Sequence, residues 1–372
     1  MKKILLVTRP IAPPWDEGSK VFAFYLAKNT SGFKFGLLTN GILPNLPENI
    51  IQKPIYQSNH FGLWQKMQLL LNLKKLKNEF DILHFIFTPT KLNSLWLKNL
   101  TKNSGVKTIQ TVATLREDLY TDSEIKSLLF GDWIITYSDY AKNKLNQLGF
   151  NNIERIYPGI DLNAYRKKEK DSNLMQKYGF RNDDFIINFT GEYSRLGAID
   201  DVVAAFAQIA PQIPQAKLSL AVRIKNADDQ NKKNEIQKKL KKINLLDRVA
   251  FHDDSTYLMP DIYNLCDLSI FPVQNMQGKF DIPLAVIEVM ACEKPVIISD
   301  LPILKEIAKD DNSVIIKAGN VKQLAEKILE LYNSKDLRLH LGLAARKFTQ
   351  ENFDIQKIAQ EYQALYQKIC QI

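Results

Sequence analysis

The chain has 372 residues, is 45% hydrophobic and 24% charged, and carries 15 Gly and 15 Pro; this excludes disorder and collagen-like arrays and, at ~100–200 residues per domain, predicts two domains. Fifty Lys and Arg against 41 Asp and Glu give a formal net charge of +9, compatible with nucleic acid, an anionic membrane surface or a phosphorylated substrate, and choosing none of them. Cys266, Cys292 and Cys370 are far apart and odd in number, which argues against a disulfide framework or zinc ribbon and points to a reducing compartment.

The first apolar run, ILLVT (4–8), is ended by Arg9 and the prolines before a signal-peptide h-region could form, so it reads as a strand. Further strands are predicted at 35–39, 82–87, 107–112, 133–138 and 153–158, with helical-period segments at 18–28, 61–78, 91–102 and 139–148. The second half repeats the alternation. Strands at 185–190, 217–222, 249–253, 268–273, 295–300 and 313–317 are separated by helical patterns at 199–210, 228–244, 257–265, 284–292 and 302–308, and a helical stretch from 321 to about 350 follows.

Most of these strands are continuous apolar runs, as expected of strands buried on both faces. The fold class is therefore α/β, with two Rossmann-like doubly wound parallel-sheet domains. The boundary falls just after Tyr157-Pro158-Gly159, giving a first domain at 1–160 and a second at 161–354, and the amphipathic segment 355–372 packs back on the first. No stretch approaches the ~20 apolar residues of a spanning helix, so the expectation is a soluble or peripheral chain.

In doubly wound sheets ligands bind at the carboxyl ends of the strands where the order reverses, and two such sheets facing each other would hold a ligand between them. At the first strand-to-helix turn stand Gly18 and Ser19. Free amides there would take a diphosphate or an acceptor group, or Gly and Ser simply cap the helix. No G-x-G-x-x-G follows a strand, so nicotinamide chemistry lacks its main support. Farther on, a polar loop Gly278-Lys279-Phe280-Asp281-Ile282 leads into a helix whose other residues around Glu288 are apolar. An ionised carboxylate there needs hydrogen-bond donors, either a ribose diol or protein groups. His60, His84, His252 and His340 show no metal-ligand spacing.

The stretch FDIPLAVIEVMACEKPVIISD (280–300) resembles the nucleotide-sugar motif of glycosyltransferase family 4, the group 1 glycosyltransferases of the GT-B fold. The resemblance extends to PPWDEGSK (13–20), FDILHF (80–85), IERIYPGID (153–161), GEYSRLGAIDDVVAAF (191–206), RVAFHD (248–253), MPDIYNLCDLSIFP (259–272) and LPILKEI (301–307). It implies two facing Rossmann-like domains, acceptor on the first and nucleotide sugar on the second. Glu288 matches the second glutamate of the family's E-x7-E motif and would bind the donor ribose.

The chain departs from the family at several places. Phe280 stands where the first glutamate would be, so Asp281 is the substitute expected to contact the donor sugar, with Lys279, Phe280 and Ile282 beside it. The usual arginine after the first strand of the second domain is missing, and Arg195 is the nearest cation for the diphosphate. Lys225, in AVRIKNADD beside Arg223, is the next candidate. Near the reacting sugar the family often has histidines, which makes His84 a catalytic candidate, although a histidine inside an apolar strand is commonly a core residue. Arg116, Glu117 and Asp118 are acceptor-side candidates.

The resemblance implies a retaining transfer from a nucleotide-diphosphate sugar, a donor substrate with no resident cofactor or metal, to a glycan or lipid-linked acceptor in envelope polysaccharide or glycolipid synthesis. Arg195, Lys225 and the helix start after Lys279 would stabilise the leaving diphosphate. A catalytically degenerate binding or partner protein and a nucleotide-sugar epimerase are the competing readings. The lysine run at 232–242 reads as a solvated helix face without aromatic stacking platforms, which disfavours nucleic acid. The segment 61–78, cationic with Trp64, reads as core packing or as an interfacial anchor. Location is expected to be cytoplasmic, with the anchor placing it peripherally on the inner face of the cell membrane.

Overall fold

A computed structural model describes residues 1–15, 17–102, 104–253 and 257–371. The chain divides into two compact units, one of Met1–Asp161 with Gly278–Ile282 and Asn352–Ile372, the other of Leu162–Gln277 with Pro283–Glu351.

The first unit holds strands β1 (Lys3–Val7), β2 (Lys34–Thr39), β3 (Ile50–Pro54), β4 (Ile82–Ile86), β5 (Lys107–Val112), β6 (Trp133–Thr136) and β7 (Ile153–Arg155). They form one sheet in the order β3-β2-β1-β4-β5-β6-β7, all pairs parallel. The strand order reverses between β1 and β4. Strand β4 is buried along its whole length, which is why its residues read as an unbroken apolar run around His84. Helices Leu63–Leu76 and Lys91–Thr101 cover one face, burying Leu69, Leu73, Leu76 and Leu97 in a core with Leu5, Leu83 and Phe85. The last helix, Ile355–Gln371, belongs to this unit and buries Ile358, Tyr362, Leu365 and Tyr366. Its entry is fixed by a bridge between Ile160 and Asp354. Gly159 permits this, since a Cβ there would come within 2.7 Å of Ile355 Cδ1.

The second unit holds β8 (Phe185–Gly191), β9 (Ala216–Val222), β10 (Val249–Phe251), β11 (Leu268–Phe271), β12 (Val296–Ser299) and β13 (Val314–Ile316). Their order is β10-β9-β8-β11-β12-β13, again all parallel. Here the order reverses between β8 and β11. The carboxyl ends of those two strands are where a doubly wound sheet opens a ligand crevice.

Several elements differ from the sequence expectation. Strand β3 is half-exposed along most of its length and pairs only with β2, so it has no buried apolar run to mark it. Helices Asp122–Leu128 and Ser172–Lys177 are too short to show a period. The segment expected as a helix at 302–308 is a 3-10 turn, Pro302–Glu306. The stretch from 321 is two helices, Val321–Asn333 and Lys335–Asn352, parted at Ser334. The lysine-rich helix, Ala227–Lys242, is more than a solvated face: Lys232 and Lys239 both pair with Asp200 and Glu235.

Candidate active site

In the second unit, β8 ends at Gly191 and the chain turns through Glu192-Tyr193-Ser194-Arg195-Leu196-Gly197 into helix Ala198–Ile209. Leu196 and Gly197 both take positive φ, 71° and 68°. Leucine in this region is strained by ~1–3 kcal/mol, a cost that tends to concentrate at functional turns. Gly197 is required: a Cβ would come within 2.8 Å of the Gln274 side chain. The turn is also held from beyond β11, where the Gln274 amide donates to the Leu196 carbonyl at 2.8 Å and its side chain donates to Asp201 at 2.9 Å.

Glu192 lies at the centre of this turn with its side chain only 5% exposed, and it accepts from Arg195 and from Lys225 beyond β9. Asp229, also buried, ties the two loops together by accepting from the Ser194 hydroxyl at 2.6 Å and the Lys225 amide at 3.1 Å. Arg195 and Lys225 are thus brought together at the carboxyl edge, one side chain 46% and the other 36% exposed, around a shared buried counter-ion. Sequence reasoning selected both cations and missed Glu192. Its signal was present, since an acid directly after a buried strand, three residues from an arginine, has few ways to be satisfied except by a cation.

Glu288 lies in helix Leu284–Ala291 of the same unit. The Tyr263 hydroxyl donates to its Oε2 at 3.0 Å, and Tyr165 donates to it as well. Desolvation nevertheless outweighs these two donors and pushes its pKa up to about 7. Tyr263 is fully buried and also meets the Thr190 side chain on β8. Glu288 is therefore connected through one tyrosine to the strand that presents Glu192, two residues after Thr190. The helix itself begins at Pro283, which supplies no side-chain cap, so its first-turn amides keep their positive partial charge. Neither Tyr165, in the turn that follows Asp161, nor Tyr263, in the short helix Met259–Leu265, was singled out from sequence, because neither carries a local mark of what its hydroxyl meets.

The loop Gly278–Ile282 is placed differently from expectation, because it belongs to the first unit. Asp281 is 3% exposed, accepts from the Ser138 hydroxyl at 2.7 Å and from the Leu115 amide at 3.4 Å, and its own amide donates to Ala113 at 2.9 Å. Ser138 is the N-cap of helix Asp139–Gln147. The acid expected to contact the donor sugar is thus an internal anchor fixing its loop to the carboxyl edge of β5 and β6. The Lys279 carbonyl accepts from Thr114 at 2.7 Å, Phe280 meets Tyr137 edge-on at 5.7 Å, and Ile282 is fully buried.

His84 is corrected too. It is fully buried, with Nδ1 2.7 Å from the Tyr366 hydroxyl and Nε2 2.7 Å from the Thr111 hydroxyl. Burial pushes its pKa down to about 3, so it is a neutral core histidine. Gly18 opens helix Gly18–Asn29, and the Ser19 hydroxyl donates to Glu17 at 2.8 Å. Glu17 in turn lies 3.7 Å from Arg9. This helix start thus carries a carboxylate and an arginine beside its amides.

Residues 170–348 match the family model described as glycosyl transferases group 1. The chain is 24% identical over 354 residues to the N-acetyl-alpha-D-glucosaminyl L-malate synthase of Bacillus anthracis, covering 91% of this chain and 87% of that one. It is 26% identical over 243 residues to the capsular polysaccharide biosynthesis glycosyltransferase CapM of Staphylococcus aureus, covering 63% of this chain and 58% of that one. Among solved structures, Anabaena Alr3699/HepE in complex with UDP-glucose aligns over 100% of both chains with a TM-score of 0.79 at 19% identity.

Proposed function

The chain belongs to the group 1 glycosyltransferases, and on that premise we propose that it moves a sugar from a nucleoside-diphosphate sugar to a glycan or lipid-linked acceptor with retention at the anomeric carbon. The observation that carries this reading is the pairing, within one unit, of a desolvated Glu288 with a two-cation cluster at the carboxyl edge of β8 and β9. A carboxylate held by two tyrosine hydroxyls has acceptor capacity left for a ribose diol. Arg195 and Lys225 supply the positive charge that a departing diphosphate requires, and the helix start at Pro283 adds its dipole.

The donor class assigned first is a UDP-sugar, because the structural neighbour carries UDP-glucose. Envelope polysaccharide or a related surface glycan is the acceptor class, in keeping with the capsular relative. In this mechanism the leaving diphosphate stays clamped, its oxygen takes the acceptor proton, and attack comes from the leaving-group face. No protein base is then required, consistent with the buried, neutral state of His84. Proton NMR of products formed from a panel of UDP- and GDP-sugars tests it. Product with the donor's anomeric configuration is expected. Inverted product, donor isomerised without acceptor, or nucleotide bound with no product at all would contradict it.

A further inference from the structure

Two neighbouring helices of the first unit present apolar side chains outward. On Leu63–Leu76 the buried face is Gln65, Leu69, Leu73 and Leu76, while Leu63 (83%), Trp64 (52%) and Leu71 (63%) are exposed. On Lys91–Thr101 the buried positions are Ser94 and Leu97, while Leu92, Leu95 and Trp96 (56%) are exposed. Both helices pack on the same core cluster, and Lys77, just after the first, donates to the Leu100 carbonyl of the second at 3.0 Å. The two helices are therefore neighbours on one core, each with an outward apolar stripe. Isolated exposed leucines are ordinary, but two tryptophans and four leucines on adjacent helices form a patch that needs an occupant.

The surrounding charge indicates which occupant. Residues 61–78 and 89–107 contain Lys66, Lys74, Lys75, Lys77, Lys91, Lys98, Lys102 and Lys107 and no Asp or Glu. These eight lysines come close to the chain's whole formal excess of +9. Lys91 is neutralised by Glu124, and Lys74, Lys75, Lys98 and Lys102 are exposed. Tryptophan and leucine flanked by lysine is the chemistry of insertion into the headgroup boundary of an anionic bilayer, where apolar burial and attraction to anionic lipid act together. A second copy of the chain, bringing the same lysines, would meet this face with like charge.

We propose that helices 63–76 and 91–101 form one membrane-docking face of the first unit, seated on anionic lipid through Trp64, Trp96 and the four exposed leucines, with the lysines on the headgroups. The face rests on these side chains alone and stands apart from the proposed sugar transfer, to which it would give access to a lipid-linked acceptor. The full chain is sedimented with vesicles of phosphatidylcholine alone and of phosphatidylcholine with 30% phosphatidylglycerol, and nucleotide binding is measured in parallel.

The expected result is at least tenfold higher partitioning onto the anionic vesicles, lost in 0.5 M salt. Trp64→Glu with Trp96→Glu should abolish it, and Lys74→Ala with Lys75→Ala should weaken it several-fold, each with unchanged thermal midpoint and UDP affinity. If the tryptophan variant misfolds, the lysine variant carries the test. Equal partitioning onto both vesicle types, recovery of the wild type in the supernatant, or a concentration-dependent dimer that the tryptophan variant dissolves would overturn the proposal. UDP binding reports on the donor site separately, so loss of lipid binding and failure of the transfer reading are distinguishable.

Discussion

The Tyr263 hydroxyl donates to Glu288 at 3.0 Å from a fully buried position, so the carboxyl's charge depends on how many donors reach it. Tyr165 supplies the other protein donor, and the buried thiol of Cys292 is a further titratable neighbour of Glu288. With two donors the pKa lies near 7. Removing one by Tyr263→Phe should raise it further, because the ionised form loses more than the neutral form does. Nucleotide affinity, if the ribose donates to the ionised carboxylate, should increase as pH rises through about 7, and the inflection should move upward in Tyr263→Phe. Titration calorimetry with UDP between pH 5.5 and 8.5 measures this.

The same shift has a stability consequence with a definite sign. A carboxyl whose folded pKa is raised above its unfolded value contributes stability below the unfolded pKa and loses it as pH rises through the folded one. For Glu288 that window runs from about 4.5 to about 7, and the loss is on the order of 3 kcal/mol. Glu288→Gln, which stays neutral, should therefore be more stable than the wild type at pH 8 and show little difference near pH 5. Thermal denaturation of the unliganded proteins at the two pH values checks it; a wild type that is the more stable at pH 8 would exclude a desolvated carboxyl.

Arg195 and Lys225 share Glu192 as a counter-ion, so their contributions should not add. Each alanine substitution is expected to lower kcat/KM by at least tenfold. The double variant should depart from the sum of the two by at least ~0.5 kcal/mol, as is usual for residues in one charge network. Strict additivity would mean the two cations act independently of Glu192.

Gly197→Ala places a side chain at φ 68° and against Gln274. A loss of about 1–3 kcal/mol in stability is expected, together with a raised donor KM, because Gln274 also holds the Leu196 carbonyl. Urea denaturation and donor kinetics on the same preparation separate the two effects.

Asp281 distinguishes an anchor from a substrate contact. As an anchor accepting from Ser138 and Leu115, its replacement by Ala leaves buried donors unsatisfied and should cost about 1–3 kcal/mol. Asp281→Asn keeps an acceptor oxygen and should cost less, with donor KM in that variant within about twofold of the wild type. A large KM change in a fully stable Asp281→Asn protein would return Asp281 to the donor site.

What could be read from sequence follows from where the physics is local. Both sheets were legible because strands such as β4 and β8 are buried on both faces and leave unbroken apolar runs, whereas the edge strand β3 is half-exposed and leaves none. Glu288, Arg195 and Lys225 were legible because each is a charge at a strand end or in an apolar helix. Tyr263 acts through a partner 25 residues away, which no local pattern announces, whereas Glu192 has a local partner in Arg195 and only its second, Lys225, lies 33 residues off. Asp281 shows the converse: its position in the motif is visible in sequence, while its partner Ser138, 143 residues distant, is not.

The central claim is that Glu288 anchors the donor of a sugar transfer, and its most direct test is single-turnover transfer from a UDP-sugar by the wild type and by Glu288→Ala. The account predicts product and UDP in equal amounts from the wild type, and at least a tenfold higher donor requirement or lost turnover in the variant. Turnover by Glu288→Ala indistinguishable from wild type would contradict it.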